Sequence, residues 1–406
     1  MKTVLMFPYA HHLGATHPLL AIGEVLRKQK HRVIFAAQGK CCDYVRAAGF
    51  ELEDIIDLAP SICVDKINKS RLDYHTVASI TEFVEQETRM IRKYSPDVIV
   101  DVHRPTLRIS ALLSSTPRAV VCNTVLTKYY ALEKVVPESL PIHSTLKALL
   151  RNRTIGKAMP LIERQLLKKW AQPYNIYLKG RGVVRFKSIW ELFEGDQMLL
   201  MDASEFAPTT PLPDSVKMVG PLLHDDNQES PPWLAKLDPA KKTIFVYVGS
   251  IEKLFPVVLD FLEKIYGGSS DHQIVAATGG MFSSGSRKYP ANMIIADYVP
   301  ASRILENNCA VMVTHGGRGS IYSALLRGVP LIGIPNQAEQ EWNLDRIEEL
   351  GLGKKILVRK LNLNSLKDAL DSVLQDRRYG ERAQKFGEIL ANYQGATKAA
   401  EIIAAM

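Results

Sequence analysis

The sequence predicts an α/β protein of two Rossmann-like domains, each built on a doubly wound parallel sheet, that face each other across a cleft. Three observations indicate this class. Short apolar runs alternate with helical stretches along the whole chain. The runs are apolar throughout, which is typical of strands that are covered by helices on both faces. The length of 406 residues is about twice that of an ordinary domain.

The predicted strands fall into two sets in chain order. The first set is Thr3–Phe7, Arg32–Ala37, Asp97–Asp101, Arg118–Cys122 and Gln197–Asp202. The second set is Lys242–Val248, Gln273–Thr278, Met293–Asp297, Cys309–Thr314, Pro330–Ile334 and Lys355–Val358. A helix is predicted over residues 17–29, where Leu19, Ile22 and Leu26 lie on one apolar stripe.

A polar segment, residues 223–240, separates the two sets and contains Pro231, Pro232 and Pro239. Proline lacks the amide hydrogen that helices and central strands need, so this segment is predicted to be a linker. Domains are therefore expected over residues 1–222 and 241–385. A ligand is expected in the cleft, at the carboxyl ends of both sheets.

Composition excludes several classes of protein. Apolar residues make up 46% and charged residues 23% of the chain, as in ordinary globular proteins. No apolar run approaches the ~18 residues of a membrane span. The run Val4–Phe7 ends at Pro8, too soon for a signal peptide. Five cysteines without a CxxC motif predict reduced thiols in a cytoplasmic protein.

The net charge of +8 is concentrated in one segment. Residues 147–187 hold eleven Lys or Arg and one acidic residue, Glu163. Leucines, isoleucines and Trp170 alternate with these cations, a composition typical of helices at an anionic membrane surface. Two alternatives are a solvated basic face over a core helix and a surface for an anionic soluble acceptor. Nucleic acid is not expected, because no recognition motif accompanies the charge.

The segment Val311–Gly333 predicts an anion site. An apolar strand ends at Thr314, a glycine-rich turn follows, and a helix is predicted from about Ser320 to Arg327, ended by Gly328. The turn glycines let backbone amides approach an anion, and the helix dipole attracts it. These glycines are Gly316, Gly317 and Gly319. The alternative is a tight strand-to-helix turn without a ligand.

An acid–amide pair, Glu339 and Gln340, follows the next strand, and Asn343 lies three residues further on. A carboxylate accepts hydrogen bonds from two sugar hydroxyls, and an amide both donates and accepts. The pair therefore favours hydroxyl recognition, although a solvated helix start has the same composition.

The segments HGGRGSIYSALLRGVP and IPNQAEQEWN together resemble the donor-binding motif of the UDP-glycosyltransferase superfamily, family 1, in its macrolide-type bacterial members. Four further segments resemble this family in the same order: VLMFPYAHHLGATHPLLAIGEVL, FAPTTPLPDSVKMVGPL, IFVYVGS and ADYVPASRIL. The resemblance implies the GT-B fold and a transferase that moves a hexose from a UDP- or dTDP-sugar to a hydroxyl of a hydrophobic or lipid acceptor. It also implies an inverting, metal-independent reaction without a cofactor.

The resemblance assigns roles to residues. Residues 1–222 would bind the acceptor, residues 241–385 the donor, and a last helix within 386–406 would pack back towards the first domain. Gly317 and Ser320 would bind the diphosphate beside His315, and Glu339 and Gln340 would bind the sugar. The remaining donor residues would be Tyr298, stacked on the base, Val299, and the loop residues Gly249 and Ser250.

Ser323 departs from the family pattern, which has a glutamate there that accepts both ribose hydroxyls. A serine reaches one hydroxyl, which leaves three alternatives: the ribose is bound more weakly, it is held elsewhere, or the donor carries a deoxyribose, as a dTDP-sugar does.

The resemblance places a catalytic histidine in the loop after the first strand. Counting back from His31, that position is Ala15, close to His11, His12 and His17. His12 is the favoured base. His17 is the second choice, because the first turn of a helix lowers a histidine pKa and favours the neutral form.

Asp101, at the end of PDVIVD, would be the carboxylate that supports this histidine, and His103 is a further candidate base. A binding protein without transferase activity, or a GT-B epimerase or hydrolase, remain alternatives. An NAD-dependent oxidoreductase is disfavoured, since no GxGxxG follows the first strand. A metal is not expected, because no DxD-like pair lies near the glycine turn.

Overall fold

The computed structural model describes residues 1–68, 71–138, 159–224, 231–248, 254–279, 287–297 and 299–406. The chain divides into two compact units. The first comprises residues 1–136, 140–224 and 393–406, and the second comprises residues 137–139 and 225–392. Residues 225–230, within the predicted linker, lie outside the described residues, and a short 3₁₀ helix, Pro232–Lys236, follows them.

The first unit contains a seven-stranded, wholly parallel sheet with the order β3-β2-β1-β4-β5-β6-β7. Its strands are β1 Thr3–Phe7, β2 Arg32–Ala36, β3 Glu51–Glu53, β4 Val98–Asp101, β5 Arg118–Cys122, β6 Gln197–Leu200 and β7 Val216–Met218. Both faces of the sheet are buried under helices, as the apolar runs predicted.

The helices described in this unit before the linker are α1 Leu13–Lys28, α2 Cys42–Ala47, α3 Pro60–Asn68, α4 Val77–Tyr94, α5 Pro105–Ser114, α6 Met159–Trp170 and α7 Gln172–Tyr177. Helix α1 begins four residues earlier than predicted. Pro18 lies inside it, although proline costs an intrahelical hydrogen bond. The buried face that contains Leu19, Ile22 and Leu26 outweighs this loss.

The second unit contains a six-stranded, wholly parallel sheet with the order β10-β9-β8-β11-β12-β13. Its strands are β8 Lys242–Tyr247, β9 His272–Ala277, β10 Met293–Ala296, β11 Cys309–Thr314, β12 Leu331–Gly333 and β13 Gly353–Lys355. Its described helices are α8 Phe255–Tyr266, α9 Ala301–Leu305, α10 Arg318–Leu325, α11 Ala338–Glu349, α12 Leu363–Gln375 and α13 Arg377–Ala391. The predicted fold class, two parallel α/β domains, is confirmed.

Helix α14, Gly395–Ala405, returns to the first unit and packs on α1. Ala399, Ala400 and Ile403 are fully buried in the same core as Leu19 and Leu20. The chain re-enters the first unit at Tyr393, whose hydroxyl donates a hydrogen bond of 2.7 Å to the Glu205 carboxylate. Helix α13, by contrast, belongs to the second unit.

Three edge strands differ from the sequence-based expectation. Strands β3 and β7 were not predicted, because each is only three residues long and β3 reads Glu-Leu-Glu. Strand β13 ends at Lys355, where a strand had been predicted to begin, and Val358 starts a 3₁₀ helix instead. Short edge strands carry little apolar pattern, since neighbouring strands and helices cover them only partly.

The five cysteines are free thiols. Burial raises the pKa of Cys41 to about 11, so this thiol is neutral near pH 7. Within the described ranges, none of the helices combines the length and the hydropathy that crossing a membrane requires.

Candidate active site

Each sheet has a switch point at which the direction of strand addition reverses. In the first sheet it lies between β1 and β4, and in the second between β8 and β11. The loops that follow two such strands diverge to opposite faces and leave a crevice at the carboxyl edge, where α/β proteins bind ligands. The first crevice holds residues 8–12 and 102–104, and the second holds residues 315–317. The candidate residues therefore gather at these two edges.

The glycine turn after β11 requires glycine at two positions. Gly316 has φ +87°, and a Cβ atom there would lie 2.6 Å from Leu344 Cδ1. A Cβ atom on Gly317 would lie 2.4 Å from the His315 ring. At Gly319, however, a Cβ atom would meet no protein atom within 4 Å. The turn is thus closed on the protein side and open beside Gly319.

Helix α10 begins at Arg318, two residues before the predicted start, and Gly317 is its N-cap residue. Ser320 therefore lies in the first turn of the helix and is not its N-cap residue. Gly317 has no side chain that could accept a hydrogen bond from the helix start. The first amides of an α-helix lack intrahelical partners and carry the positive end of the dipole, so this start suits an anion. Gly328, with φ +68°, follows the helix in the predicted left-handed conformation.

His315 lies behind the turn. Its ring packs edge-on against Tyr247 at 6.0 Å, and its Nδ1 atom is buried without a hydrogen-bond partner among the described residues. Burial lowers the pKa of His315 to about 4, and the backbone of Tyr247 opposes that change. The ring is therefore neutral near pH 7 and contributes no charge to the site.

Glu339 and Gln340 lie in the first turn of α11, after β12. Gln340 is 5% exposed, and its side-chain oxygen accepts a hydrogen bond of 2.9 Å from the backbone amide of Asn336. Glu339 is half-buried, and its carboxylate accepts a hydrogen bond of 3.1 Å from Asn343. Gln340 thus fixes the loop that precedes α11, while the Glu339 carboxylate remains partly exposed to solvent.

Asn343 is a residue to which the sequence analysis assigned no role. Its side-chain amide donates to Glu339 Oε1 and to the carbonyl oxygen of Gly316, both at 3.1 Å. It is 3% exposed. Asn343 therefore ties the glycine turn to the acid–amide pair. Its position four residues after Glu339, on the same face of a helix, was the available signal.

Other predicted donor residues are less fully described. Gly249, Ser250 and Tyr298 lie outside the described residues. Val299 is 8% exposed, two residues before α9. Ser323 lies one turn after Ser320 on α10 and is half-buried.

The predicted histidines of the first unit have different environments. His12 is the exposed N-cap residue of α1. His11, beside it, stacks on Tyr9 with ring centroids 4.9 Å apart. His17 lies inside α1 against His224 and Tyr44. Burial, and then the nearby His224, lower the pKa of His17 to about 4. His103 has φ +54° and packs edge-on against Phe193.

Asp101, the carboxylate that the resemblance assigns to the catalytic histidine, is paired with arginine in this structure. It is fully buried at the end of β4, and its two oxygens accept hydrogen bonds of 2.7 and 2.9 Å from the Arg118 guanidinium. The Arg104 amide donates a third, at 2.8 Å. Arg118 begins β5 opposite Ile99, two residues before Asp101, and its long side chain reaches the carboxylate. Sequence reasoning missed Arg118, since a charged residue at a strand start is usually exposed.

Together, the described residues of the second unit offer amides for an anion beside a carboxylate for hydroxyl groups. Among the described side chains, no group of three or more His, Cys, Asp or Glu is placed to hold a metal ion.

Comparison with known proteins agrees with this description. Residues 262–406 match the family described as "Erythromycin biosynthesis protein CIII-like, C-terminal domain". The chain is 26% identical over 329 residues to "PGL/p-HBAD biosynthesis glycosyltransferase" of Mycobacterium tuberculosis (strain ATCC 25177 / H37Ra), covering 80% of this chain and 73% of the relative. It is 25% identical over 401 residues to "NDP-glycosyltransferase YjiC" of Bacillus subtilis (strain 168), covering 97% and 94%.

A similar fold is found in the solved structure "glycosyltransferase VinC in complex with DTDP", with a TM-score of 0.71 and 17% identity over 99% of this chain and 98% of that one. The order of the sequence motifs, the two parallel sheets and these relatives all indicate the same class of enzyme. The chain is a nucleotide-sugar-dependent glycosyltransferase with the GT-B fold, and its residues 262–406 are similar to the erythromycin CIII-like family.

Proposed function

We propose that this enzyme transfers a hexose, with inversion and without a metal ion, to a hydroxyl group of a small hydrophobic or lipid acceptor. In this reaction the acceptor oxygen attacks the anomeric carbon while its proton passes to a histidine. The bond between the anomeric carbon and the diphosphate oxygen breaks, and the nucleoside diphosphate leaves with the negative charge. A histidine of the loop after β1 takes the proton in this proposal.

The start of α10, whose N-cap residue is the glycine Gly317, is the observation that carries the proposal. A leaving diphosphate gains charge as the bond breaks, and the amides of the first helical turn, together with the helix dipole, stabilise that charge without a cation. Glu339, held by Asn343 beside the same turn, accepts hydrogen bonds from hydroxyls of the transferred sugar. Neutral His315 leaves the anion site to the backbone amides.

The donor nucleotide follows from Ser323 in this proposal. A serine binds one hydroxyl, which matches a deoxyribose, so dTDP-sugars are the favoured donors. UDP-sugars would lose one hydrogen bond that the family's glutamate provides.

The test is turnover of a panel of UDP- and dTDP-sugars with hydrophobic hydroxyl acceptors in EDTA, followed as nucleoside diphosphate release. We expect acceptor-dependent release that EDTA leaves unchanged and a product with the opposite anomeric configuration by proton NMR. Loss of turnover in EDTA would contradict the helix-start mechanism. Thermal stabilisation by a donor without turnover on any acceptor would favour a binding protein instead.

We also propose that this enzyme meets its acceptor at an anionic membrane surface. Within residues 164–187, all seven Lys and Arg side chains are exposed, and the segment contains no Asp or Glu. Three apolar side chains are exposed among them: Leu166 (42%), Ile176 (61%) and Val184 (85%). Each cation near an anionic leaflet contributes about 1 kcal/mol, so several would hold the chain there reversibly. Residues 147–158 of the predicted basic segment lie outside the described residues.

We expect the protein to sediment with vesicles of phosphatidylcholine and phosphatidylglycerol, but not with phosphatidylcholine alone, and to be released by salt. The double variant Lys168→Glu/Lys169→Glu should weaken this binding several-fold. Lys288→Glu/Lys385→Glu makes the same change of charge on exposed lysines of the other unit and is the control. Equal weakening by both variants, or binding to neutral vesicles alone, would overturn the proposal.

A further inference from the structure

A cavity of about 430 Å³ lies between α5 and the segment that leads into the 3₁₀ helix Ile189–Phe193. Arg108 and Leu112, one turn apart on α5, line one side, and residues 182–186 line the other. None of the lining residues belongs to the crevice that holds residues 8–12 and 102–104. The cavity is therefore distinct from the candidate catalytic edge of the first sheet.

Arg108 brings an unpaired positive charge to this cavity. Its side chain is half-buried, forms no ion pair among the described residues, and has a buried Nε atom without a hydrogen-bond partner there. Burial, and then the nearby Arg118 guanidinium, lower the pKa of Arg108, while Asp196 and Glu194 oppose that change. An arginine stays protonated in proteins even so. A partly desolvated charge without a partner is costly, and an anion in the cavity would offset that cost.

The carboxylates that line the cavity already have partners. Glu194 forms an ion pair of 2.8 Å with Lys128. Glu191 accepts a hydrogen bond of 2.8 Å from the backbone amide of Lys187. Neither carboxylate forms an ion pair with Arg108 in the described part of the chain. The guanidinium group thus remains available to an anion from outside.

The opposite wall of the cavity combines a second cation with apolar surface. Arg185 is exposed and makes no hydrogen bond or ion pair through its side chain within the described ranges. Val184 beside it is 85% exposed, and Leu112 on the other wall is 39% exposed. The wall is held in place by Asn175, whose side chain makes two hydrogen bonds of 2.8 Å with the backbone of Phe186. Cations flanked by exposed apolar side chains suit an amphiphilic anion.

We propose that this cavity binds the phosphate group of a membrane lipid, with Arg108 at its inner end and Arg185 at its rim. Guanidinium groups bind phosphate oxygens through paired, charge-assisted hydrogen bonds. Leu112 and Val184 contact the glycerol backbone and the first methylene groups of the acyl chains. A soluble phosphate has the same head-group chemistry but would leave both apolar side chains in water.

This lipid would be an anchor and not the sugar acceptor, because the cavity shares no residue with the crevice after β1 and β4. The inference rests on the membrane contact proposed above, since Val184 and Arg185 belong to the same exposed basic segment. It adds a specific site to that contact: one lipid phosphate is bound by two named arginines, beyond the general attraction of cations to an anionic surface.

Isothermal titration with dihexanoyl phosphatidic acid below its micellar concentration measures this binding without a membrane. We expect Arg108→Gln to raise the Kd at least about 10-fold, because hydrogen bonds from a charged donor are lost. Its melting temperature should not fall, since the substitution removes a half-buried charge that has no ion-pair partner. Arg185→Gln, on the exposed rim, should also raise the Kd. Arg89→Gln removes the same charge from an exposed position of α4 and should bind as the wild type does.

A second pair of variants separates a lipid from a soluble phosphate. Leu112→Ser should weaken binding of the lipid several-fold, whereas Leu113→Ser should leave it unchanged. Leu113 is as exposed as Leu112 but does not line the cavity. Binding of glycerol phosphate or inorganic phosphate to the wild type as tightly as the lipid would show that the ligand is soluble and would overturn the proposal.

The double variant Lys168→Glu/Lys169→Glu separates the cavity from the general surface charge. It should leave the Kd for the monomeric lipid unchanged, because neither lysine lines the cavity. Unchanged lipid affinity in Arg108→Gln, or displacement of the lipid by thymidine diphosphate, would overturn the proposal. A wild-type protein that binds the monomeric lipid but does not sediment with anionic vesicles would instead refute the proposed membrane contact and leave the lipid site standing.

Discussion

Replacing Arg118 by methionine should lower the free energy of unfolding by about 3–5 kcal/mol, because Asp101 would be left as an unpaired buried charge. Both side chains are fully buried. All the donors of the guanidinium are occupied, since beyond Asp101 it donates to the carbonyl oxygens of Arg104, Leu192 and Glu194. The Arg118 side chain thus joins β4 and β5 to the end of the 3₁₀ helix Ile189–Phe193 and to Glu194, which follows it. Urea and thermal unfolding of the whole chain measure the effect.

Arg32→Met is the matched control for this substitution. Arg32 pairs with Glu51 at 3.0 Å, but the two side chains are 52% and 43% exposed, so its loss should cost no more than about 1 kcal/mol. The double variant Asp101→Leu/Arg118→Met should recover part of the stability, because no buried charge remains unpaired. If Asp101→Asn instead lowered kcat at unchanged stability, Asp101 would serve the reaction directly, as the family resemblance implies.

Replacing Gly319 by alanine should weaken nucleoside diphosphate binding by about 10- to 100-fold while leaving the fold intact. The added methyl group meets no protein atom within 4 Å, and alanine favours the helix in which Gly319 lies. If the diphosphate packs against this turn, however, the methyl group displaces it from at least one amide, and a hydrogen bond to a charged group contributes about 1.5–3 kcal/mol. Isothermal titration with dTDP and UDP measures the loss.

Gly380→Ala is the control for Gly319→Ala, because Gly380 is also helical and a Cβ atom there also meets no atom within 4 Å. It should bind both nucleotides as the wild type does. Equal affinity in Gly319→Ala and Gly380→Ala would mean that the anion lies away from this turn.

Sequence reasoning predicted the elements that are buried on both sides. Strands β1, β5 and β11 begin and end at the predicted residues, because their apolar runs are bounded by polar or turn residues. The edge strands β3 and β7 were missed, since half-covered strands of three residues leave no such pattern. The start of α1 was missed because the apolar stripe on which the prediction rested begins at Leu19, six residues after the first residue of the helix, Leu13.

The part of the candidate site that was predicted from the sequence is the part where the backbone accepts only one type of residue. Glycines at 316 and 317 are required by the left-handed turn and by the close approach of His315, so they were recognisable as a motif. Partners from other strands were not recognisable, because a sequence does not reveal that the Arg118 guanidinium pairs with Asp101 or that the Tyr9 hydroxyl reaches the Leu58 carbonyl. Long-range pairing of side chains, not local pattern, decides these contacts.

A crystal structure of the enzyme with thymidine diphosphate tests the central claim most directly. Phosphate oxygens should lie about 3 Å from the backbone amides between Gly317 and Ser320, with no cation bridging them. A diphosphate bound at another edge of the second sheet, or held there through a metal ion, would contradict the account.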